Sequence, residues 1–566
     1  MANRPTSQTL GDLLDELARA RGDAEAIIWR DRRISYAEWR DQTDRFARGL
    51  LSLGIEPGDR VGLLAANRPE WLIAAFAIHK IGAVATAIST FSTPRELAWI
   101  LEHSGAVALV SVSEVRGRSF IGSLRELCPE IADAVPGSLN AVALPELRSL
   151  IAIDGGSDGA VIGWDDFMTR GDSVNAEHLA EVQATVSPGD ICFILYTSGS
   201  TADPKGVTLA HGHLIANGFD IGERMHLGPE DRLWFAVPLF WSFGSANALP
   251  AVISHGGRLV LHESFDAGEA LDLMEHEGCT VFYGMANMAR AIREHPTWSP
   301  ERVASMRTGL TIGLPEDIEF IIETLGAPEL CNVYGSTETY GNCAVCDAHD
   351  SLELRLHSQG EPLPGMTIRA VDPETREPLP NGQVGELAVA GYVTPGYFMA
   401  PEQTAGTFDA DGYFLTGDLG MLGEDGRVRY RGRLKEIIKT GGVNVAPIEV
   451  EAVLAQHPAV KQAHVVGVLD PVKDEIVVAA VELEAEARVT VADLVAHCRA
   501  ELASYKVPAH ISIRNAEAFP RTATGKIHKP GLKQEFSQGF GRVDQVDEPA
   551  SASSSASSSD TSSKEA

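Results

Sequence analysis

The alternation of short apolar runs with helix-length segments in the first half of the chain constrains its fold more than any other feature. Residues 61–65, 83–88 and 107–112 are runs of this kind, composed almost entirely of aliphatic side chains, Ala and Gly. Strands that alternate with helices predict a parallel sheet with helices packed against its faces. We therefore expect an α/β body.

Local signals place individual helices in this body. Thr9 is typical of an N-cap, and Ser35 with Glu38 has the pattern of a capping box that opens a helix running towards Gly54. Residues 71–88 form the most apolar stretch, but a histidine, a lysine and a glycine interrupt it. We expect a buried helix followed by a strand there, not a membrane span.

The second half of the chain has a different pattern of predicted elements. From about Gly360, short strands such as 385–389 and 426–430 are separated by Gly, Pro and Asp, which predicts a smaller β-rich subdomain. After Arg433 the pattern indicates a compact α+β piece. Its predicted elements are strands over 464–469 and 476–483 and a helix over 491–505.

We expect three parts in all. They are an N-terminal domain over residues 1–432, a C-terminal domain over 433–535 and a disordered, acidic and Ser-rich tail over 536–566. The tail contains too few apolar side chains to bury a core of its own.

Composition excludes several classes of protein. The 566 residues include 47 Lys+Arg and 78 Asp+Glu, a net charge of −31, with an ordinary globular share of 44% hydrophobic residues. This charge repels nucleic acid and anionic membranes, so we expect neither as a partner. The first residues lack the apolar core of a signal peptide, and the seven cysteines have no framework spacing. The sequence therefore predicts a cytoplasmic protein with ordinary thiols at Cys343 and Cys346, and leaves monomer or homodimer open.

The strongest chemical signal is the segment Tyr-Thr-Ser-Gly-Ser-Thr-Ala-Asp-Pro-Lys-Gly over 196–206, directly after an apolar strand. Glycine lets backbone N–H groups approach an anion, the hydroxyls add donors and the lysine adds a positive charge. A Ser/Gly linker rarely follows a buried strand or ends in Pro-Lys-Gly. We predict a polyphosphate-binding loop made of Thr197, Ser198, Gly199, Ser200, Thr201 and Lys205.

With this loop and the motifs that follow, the sequence resembles the adenylate-forming superfamily, in its acyl- and aryl-CoA synthetase branch. The resemblance covers about residues 8–535 and includes Tyr-Gly-Ser-Thr-Glu-Thr at 334–339, Thr-Gly-Asp at 416–418 and a Gly-Arg motif at 432–433. It implies an N-terminal body of two α/β sheets plus a β-rich subdomain, followed by a small mobile α+β domain.

The resemblance assigns roles to these motifs. It implies that Thr337 contacts phosphate and that Glu338 holds Mg²⁺, since carboxylate oxygen suits a hard cation. Asp418 and Arg433 would contact the ribose. Gly313 and Leu314 stand at the adenine loop, where the match is poor. The remaining nucleotide contacts would be Tyr334, Gly335 and Ser336.

Further resemblance concerns the C-terminal part. Lys526, in Pro-Arg-Thr-Ala-Thr-Gly-Lys, stands at the position of the catalytic lysine, with Thr197, Lys205 and Glu338 as other catalytic groups. On its own, a lysine in such a turn is ordinarily a solvated charge. Lys435 stands at the hinge. The acceptor-thiol loop would contain Lys439, Gly441 and Gly442.

The implied reaction joins a carboxylic acid to coenzyme A through an acyl-adenylate, with ATP and Mg²⁺. The alternatives are an enzyme that loads a carrier protein in trans, a luciferase-like oxidase of the adenylate, and a non-catalytic nucleotide-binding relative. Light emission or O₂ uptake would identify the oxidase. The presence of the charged motif residues disfavours the last.

The segment Pro-Leu-Phe-Trp-Ser-Phe-Gly over 238–244 resembles the family's acid-binding helix. No acidic residue lies between Pro238 and Pro250, so an α-amino group would lack a counter-charge, which disfavours amino acids. We predict an apolar pocket for an aryl or short-to-medium alkyl acid, unless these side chains are ordinary core. Its predicted lining is Trp241, Phe243, Gly309, Ile312 and Tyr340.

Overall fold

The computed structural model describes residues 4–115, 117–197, 204–440, 443–471, 473–485, 487–522 and 526–539. The predicted tail therefore lies almost wholly outside the described residues. The chain divides into two compact units, Met1–Ile437 and Ile438–Ala566.

The strands are numbered in chain order. They are β1 Glu25–Trp29, β2 Arg32–Ser35, β3 Arg60–Leu64, β4 Val84–Ala87, β5 Ala106–Ser111, β6 Glu114–Val115, β7 Arg118–Ser119, β8 Ser149–Ala152, β9 Val161–Gly163, β10 Ile191–Thr197, β11 Lys205–Ala210, β12 Arg232–Phe235, β13 Arg258–Leu261, β14 Val281–Tyr283, β15 Thr308–Thr311, β16 Glu329–Tyr334, β17 Ala344–Val345, β18 Glu361–Pro362, β19 Thr367–Val371, β20 Gly385–Ala390, β21 Phe414–Leu422, β22 Val428–Arg433, β23 Ile438–Thr440, β24 Val443–Val445, β25 Val460–Asp470, β26 Asp474–Leu483 and β27 His510–Ile513.

The α-helices follow the same order. They are α1 Leu10–Arg21, α2 Tyr36–Ser52, α3 Pro69–Lys80, α4 Pro94–Ser104, α5 Phe120–Leu127, α6 Trp164–Gly171, α7 Ala176–Gln183, α8 His211–Arg224, α9 Leu249–Ile253, α10 Ala267–Glu277, α11 Ala286–Glu294, α12 Pro315–Leu325, α13 Leu352–His357, α14 Pro401–Gly406, α15 Pro447–Ala455, α16 Val491–Glu501 and α17 Lys529–Gly539. Short 3₁₀ turns cover Pro129–Ala132, Pro300–Val303, Thr337–Thr339, Leu434–Glu436 and Ala516–Ala518, and a π-helical segment covers Phe243–Ala248.

The first unit contains three large sheets. A seven-stranded sheet has the order β11-β10-β4-β3-β5-β8-β9 and is parallel except for the β10–β11 pair. A nine-stranded sheet has the order β18-β17-β16-β15-β14-β12-β13-β1-β2, with a parallel centre from β16 to β1. Strands β19 to β22 form an antiparallel sheet. The predicted α/β body and β-rich subdomain are thus confirmed.

One apolar core joins the two α/β sheets. Leu63 and Phe193 from the seven-stranded sheet and Leu233 from the nine-stranded sheet belong to one buried cluster. The next residue along β12, Trp234, belongs to a second cluster and stacks on Phe282 with ring centroids 5.6 Å apart. Because neighbouring residues of a strand point to opposite faces, the nine-stranded sheet is covered on both sides, as a parallel sheet requires.

The second unit is an α+β domain with a core of its own. Its sheet has the order β24-β23-β26-β25, and β27 pairs in parallel with β26. Val465, Val477 and Val481 on this sheet pack in one cluster with Leu494 and Cys498 of α16. The predicted α+β piece is therefore confirmed.

Local predictions agree with the structure except at one helix end and at one strand, which was predicted over 426–430 but covers Val428–Arg433 because Gly426, with φ +74°, lies in the turn before it. Thr9 caps α1, Ser35 and Glu38 form the capping box of α2, and residues 71–88 form a buried helix and strand. The helix predicted over 491–505 instead ends at Glu501. Leu502 is extended, with φ −115° and ψ 148°, and its partly buried side chain packs against the domain core.

All seven cysteines lie in described segments, and each is a buried free thiol. No helix in the described part of the chain has the length and apolarity needed to cross a membrane.

Candidate active site

The predicted nucleotide and acid segments follow the carboxyl ends of neighbouring parallel strands. The adenine loop follows β15, the 335–339 segment follows β16 and the acid-binding segment follows β12. In the sheet, β14, β15 and β16 follow one another on one side of the boundary between β12 and β14, and β12 and β13 follow one another on the other side. The strand order therefore reverses at this boundary. Ligands of α/β sheets bind outside the carboxyl ends of strands at such a switch point. The topology thus gathers these loops at one edge.

The predicted phosphate loop connects two antiparallel strands. Thr197, the last residue of β10, pairs with Lys205, the first residue of β11. The hairpin therefore fixes both ends of the loop. Its residues Ser198, Gly199, Ser200 and Thr201 lie outside the described residues, as do Gly441 and Gly442 of the predicted thiol loop.

A single tyrosine, Tyr397, contacts both Glu338 and Lys205. The Tyr397 hydroxyl donates to Glu338 Oε1 at 2.9 Å, and Lys205 Nζ lies 5.2 Å from the centre of the Tyr397 ring. Burial and the negative charge of Glu338 raise the pKa of Tyr397, so its hydroxyl stays protonated and donates. No described residue donates to Glu338 Oε2, which leaves one oxygen for a cation.

Backbone contacts fix this arrangement. The Thr208 N–H donates to Gly396 O at 3.2 Å, and the Phe398 N–H donates to Gly206 O at 2.8 Å. The Thr394 N–H donates to the backbone oxygen of Glu338 at 2.6 Å. Segment 394–398 therefore joins β11 to the Glu338 turn.

Asp418 is held between a tyrosine and an arginine. The Tyr334 hydroxyl donates to Asp418 Oδ2 at 2.9 Å, and Arg433 Nε lies 2.9 Å from Asp418 Oδ1. Asp418 and Arg433 are opposite each other in the β21–β22 register. The side chain of Asp418 is 4% exposed and that of Arg433 is 50% exposed. The carboxylate is therefore buried, while its arginine partner lies at the surface.

The carboxyl group of Asp418 titrates in an unusual range. Burial raises its pKa to about 6, although the positive charge of Arg433 and the Tyr334 hydrogen bond act in the opposite direction. Oδ1 approaches Arg433 as an ion pair but has no partner with hydrogen-bond geometry among the described residues. This oxygen can therefore accept a hydrogen bond from a ligand hydroxyl.

The acid-binding segment contacts the nucleotide segment directly. The Thr337 hydroxyl donates to the Ser242 hydroxyl at 2.9 Å. The adjoining Trp241 ring stacks on Phe91, with centroids 5.9 Å apart and planes 18° apart. Both rings are half-buried, so part of each aromatic surface stays accessible.

The other predicted pocket residues differ in their surroundings. Phe243 is half-buried against Tyr283, with centroids 5.2 Å apart, and Ile312 is 44% exposed in the loop after β15. At Gly309 a Cβ atom would lie 2.0 Å from Phe282 O, so close packing of β14 requires glycine there. Tyr340 is fully buried, and its hydroxyl accepts the Ala210 N–H at 2.9 Å.

Three predicted residues lie at or beyond the boundary between the units. Lys435 lies in the turn Leu434–Glu436, next to the division after Ile437. In the second unit, Lys526 is exposed and closes a loop in which the Thr522 N–H donates to its backbone oxygen at 2.8 Å. The Lys439 N–H donates to Glu475 Oε2 at 3.0 Å.

Several residues of this site were not selected from the sequence. Tyr397, Tyr430 and Phe91 lie in no recognised motif, and Tyr430 stacks on Tyr334 with centroids 5.9 Å apart. Ser242 stands within the acid-binding segment but was not selected. The one available signal was its position between two predicted pocket aromatics.

Comparisons with known proteins agree with this architecture. A family model described as AMP-binding enzyme matches residues 14–398, and its C-terminal domain model matches residues 449–526. The chain is 34% identical to the putative acyl-CoA synthetase YngI of Bacillus subtilis, over 94% of this chain and 98% of that protein. It is 31% identical to the mitochondrial medium-chain acyl-CoA ligase ACSF2 of Mus musculus, over 94% and 88%.

Solved structures are similar over almost the whole chain. ATP-bound MatB from Rhodopseudomonas palustris matches with a TM-score of 0.77 and 26% identity, over 94% of this chain and 99% of that one. The anthranilate CoA ligase AuaEII in complex with anthranoyl-AMP matches with a TM-score of 0.81 and 25% identity, over 95% and 99%.

Proposed function

The chain belongs to the AMP-binding enzyme family and is an ATP-dependent acid–CoA ligase, and we propose that its acid is an apolar, medium-chain carboxylic acid without an amino group. In the first step, a carboxylate oxygen attacks the α-phosphorus of ATP, and pyrophosphate leaves. In the second, the thiol of coenzyme A attacks the acyl carbonyl, loses its proton, and AMP leaves.

The nucleotide is proposed to bind along the carboxyl ends of β15 and β16. Asp418 would accept hydrogen bonds from the ribose hydroxyls, with Arg433 and Tyr334 holding its carboxylate in place. Gly313 and Leu314 in the loop after β15 would contact adenine. At Gly335 a Cβ atom would lie 2.3 Å from Gly341 O, so the turn after β16 requires glycine.

Phosphate binding is proposed for the Thr197–Lys205 hairpin together with Thr337. Attack by a carboxylate on ATP brings negative charges together, and two unit charges 4 Å apart interact by about 1 kcal/mol in water and about 4 kcal/mol near a protein surface. Lys205 offsets part of this repulsion. Glu338 fits Mg²⁺ with its available oxygen, and the bound ion would neutralise phosphate charge.

Two lysines of the second unit, Lys526 and Lys439, are proposed to act in successive steps. Lys526 would stabilise the charge that develops on the phosphate during adenylation. Rotation about Lys435 would then present the loop that begins at Lys439 to coenzyme A. The position of Lys435, two residues before the end of the first compact unit, supports a domain boundary in the 433–437 region.

The contact between Thr337 and Ser242 carries the proposal for the acid. It joins the segment that carries Trp241, whose ring stacks on Phe91, to a residue proposed to bind phosphate. These rings offer an apolar surface, and no acidic side chain stands between Pro238 and Pro250 to pair with an ammonium group. The relatives named medium-chain acyl-CoA ligase support an alkyl acid of medium length.

An aryl acid is the second candidate. The stacked Phe91 and Trp241 rings could pack against an aromatic substrate. The similarity to the anthranilate CoA ligase supports this alternative.

A panel of acids tests the proposal. We expect AMP formation with octanoate and free coenzyme A to exceed that with benzoate or phenylalanine by at least about tenfold in kcat/KM, a difference of about 1.4 kcal/mol. Higher activity with benzoate would favour the aryl acid. Activity with phenylalanine above both, or turnover with a holo-carrier protein alone, would contradict the proposal.

The pKa of Asp418 predicts a pH dependence for nucleoside binding. Adenosine is the suitable probe because it has no phosphate that titrates near pH 6. Between pH 7 and pH 5 the ionised fraction of Asp418 falls from about nine-tenths to about one-tenth. The affinity of the protein for adenosine should therefore fall about tenfold. Calorimetric titration at several pH values measures this change.

The stability contribution of Asp418 changes in the opposite sense. Its folded-state pKa of about 6 exceeds the ordinary 3.8, so the folded chain holds this proton more tightly, and the contribution declines as pH rises from about 4 to about 6.

The pH dependence of adenosine affinity should disappear in Asp418→Asn. Asp425→Asn is the control, because hydrogen bonds from Arg429 lower the pKa of Asp425 to about 2. A profile unchanged in Asp418→Asn would contradict the assignment.

The seven buried free thiols also favour a reducing compartment, and we infer the cytoplasm.

A further inference from the structure

Two histidines and an aspartate meet at the surface, on strand and helix ends not used by the proposed reaction. His226 follows the C-terminus of α8, and Asp347 and His349 lie in the turn after β17. His226 Nε2 lies 2.9 Å from Asp347 Oδ1, and the two imidazole rings stack with centroids 3.9 Å apart. Each residue offers one ligand atom, all within 4.8 Å of one another, the single such group in the described residues.

We infer that His226, Asp347 and His349 form a binding site for a divalent transition-metal ion such as Zn²⁺. Two imidazole nitrogens and one carboxylate oxygen are ligands that Zn²⁺ prefers, and water would complete a tetrahedral set. To bind the ion through Nε2, the neutral His226 imidazole would carry its proton on Nδ1, so the Nε2 hydrogen bond to Asp347 is given up with no net release of a proton. Mg²⁺ prefers oxygen ligands alone, so this site and Glu338 should select different ions.

The end of α8 is held in a defined conformation. The Leu227 N–H donates to Gly222 O at 3.0 Å and the His226 N–H donates to Glu223 O at 3.1 Å, the two bonds of a Schellman motif. Arg307 Nη2 also donates to the backbone oxygen of His226 at 3.2 Å. The first imidazole is therefore presented from a fixed backbone.

The opposite turn is fixed independently. The Ala348 N–H donates to Arg224 O at 2.8 Å, which ties the turn to the same helix end. Arg427 donates two hydrogen bonds of 2.7 Å to Asp350, the last residue of the turn. The His349 N–H donates to Asp347 Oδ1 at 2.9 Å and orients the carboxylate. These contacts fix the backbone on both sides of the site, while one of the two stacked imidazoles, whose planes are 14° apart, would turn about its side-chain bonds to aim its nitrogen at the shared ion.

The charges around the site are of both signs, since the guanidinium of Arg224 acts on Asp347 while an acidic side chain lies beside His349. Glu329 Oε1 lies 3.8 Å from His349 Nε2, and the positive charge of Arg307 is already paired with Glu329 and Asp231. The site is also accessible, with 38% of the His226 side chain and 64% of the His349 side chain exposed. An ion bound there would cross-link the end of α8 to the turn after β17.

Zinc titration of the full chain without a polyhistidine tag tests the inference. We expect one equivalent of Zn²⁺ to bind and to raise the melting temperature, with binding at least about tenfold weaker in His349→Ala. Co²⁺ should give the visible absorption of a tetrahedral nitrogen–oxygen site, and millimolar Mg²⁺ should not displace either ion. His357→Ala is the matched control, because His357 is an exposed histidine of neighbouring α13 outside this group.

A second variant separates metal binding from folding. His226 has φ +52°, a left-handed conformation that glycine adopts readily, so His226→Gly should melt at least as high as the original chain without metal. We expect it to lose the zinc-induced rise in melting temperature. The inference is overturned if Zn²⁺ binds equally well to His226→Gly, His349→Ala and the unaltered chain, or if the unaltered chain binds none.

Discussion

Replacing Lys526 with alanine is expected to lower the rate of acyl-adenylate formation by about 10²- to 10³-fold, the usual effect of removing one charge-stabilising donor. The thiol-transfer step should keep most of its rate when acyl-AMP is supplied, because Lys526 is proposed to act in adenylation alone. Exchange of labelled pyrophosphate into ATP measures the first step, and coenzyme A consumption with synthetic acyl-AMP measures the second.

The matched control is Lys461→Ala. Lys461 also lies on the second unit and pairs with Glu482, so its removal lowers the charge of this domain equally without touching the proposed site. Both rates should stay within about twofold of the original. Equal loss of both half-reactions in Lys526→Ala would contradict the assigned role.

Glu338→Gln is expected to reduce adenylation by about 10²-fold and to raise the Mg²⁺ concentration needed for half-maximal rate. The amide keeps the shape of the side chain and can still accept the hydrogen bond from Tyr397, but it lacks the charge that would hold a cation. Initial rates of pyrophosphate release over a series of Mg²⁺ concentrations at fixed ATP measure both effects.

Tyr397→Phe separates the charge of Glu338 from its orientation. It removes only the 2.9 Å hydrogen bond, so we expect a loss of about tenfold or less and a nearly unchanged Mg²⁺ dependence. If Glu338→Gln needs no more Mg²⁺ than the original enzyme, Glu338 is not the metal ligand.

The sequence contained enough information for the architecture. Apolar runs predicted the strands of the α/β sheets, and capping residues such as Ser35 marked helix starts, because both patterns reflect short-range geometry. The helix predicted to extend to residue 505 was the exception. Leu502 leaves the helical path and packs against the domain core, a contact with distant residues that local helix preference does not report.

The motifs likewise identified the candidate residues but not all their surroundings. Thr-Gly-Asp and Gly-Arg pointed to Asp418 and Arg433, yet no motif indicated that Tyr397 would contact Glu338, 59 positions earlier in the chain. Nor did the sequence predict that Tyr340, expected to line the acid pocket, would be completely buried. These contacts depend on how distant strands pair.

The sequence by itself determined which side chains bear charge, which turns need glycine and which segments alternate between strand and helix. Only the tertiary structure decided that burial raises the pKa of Asp418 to about 6 and that the His226 ring stacks on the His349 ring. The physical reason is that burial and contact between distant residues arise from packing of whole sheets, whereas periodicity and turn preference act over a few neighbouring residues.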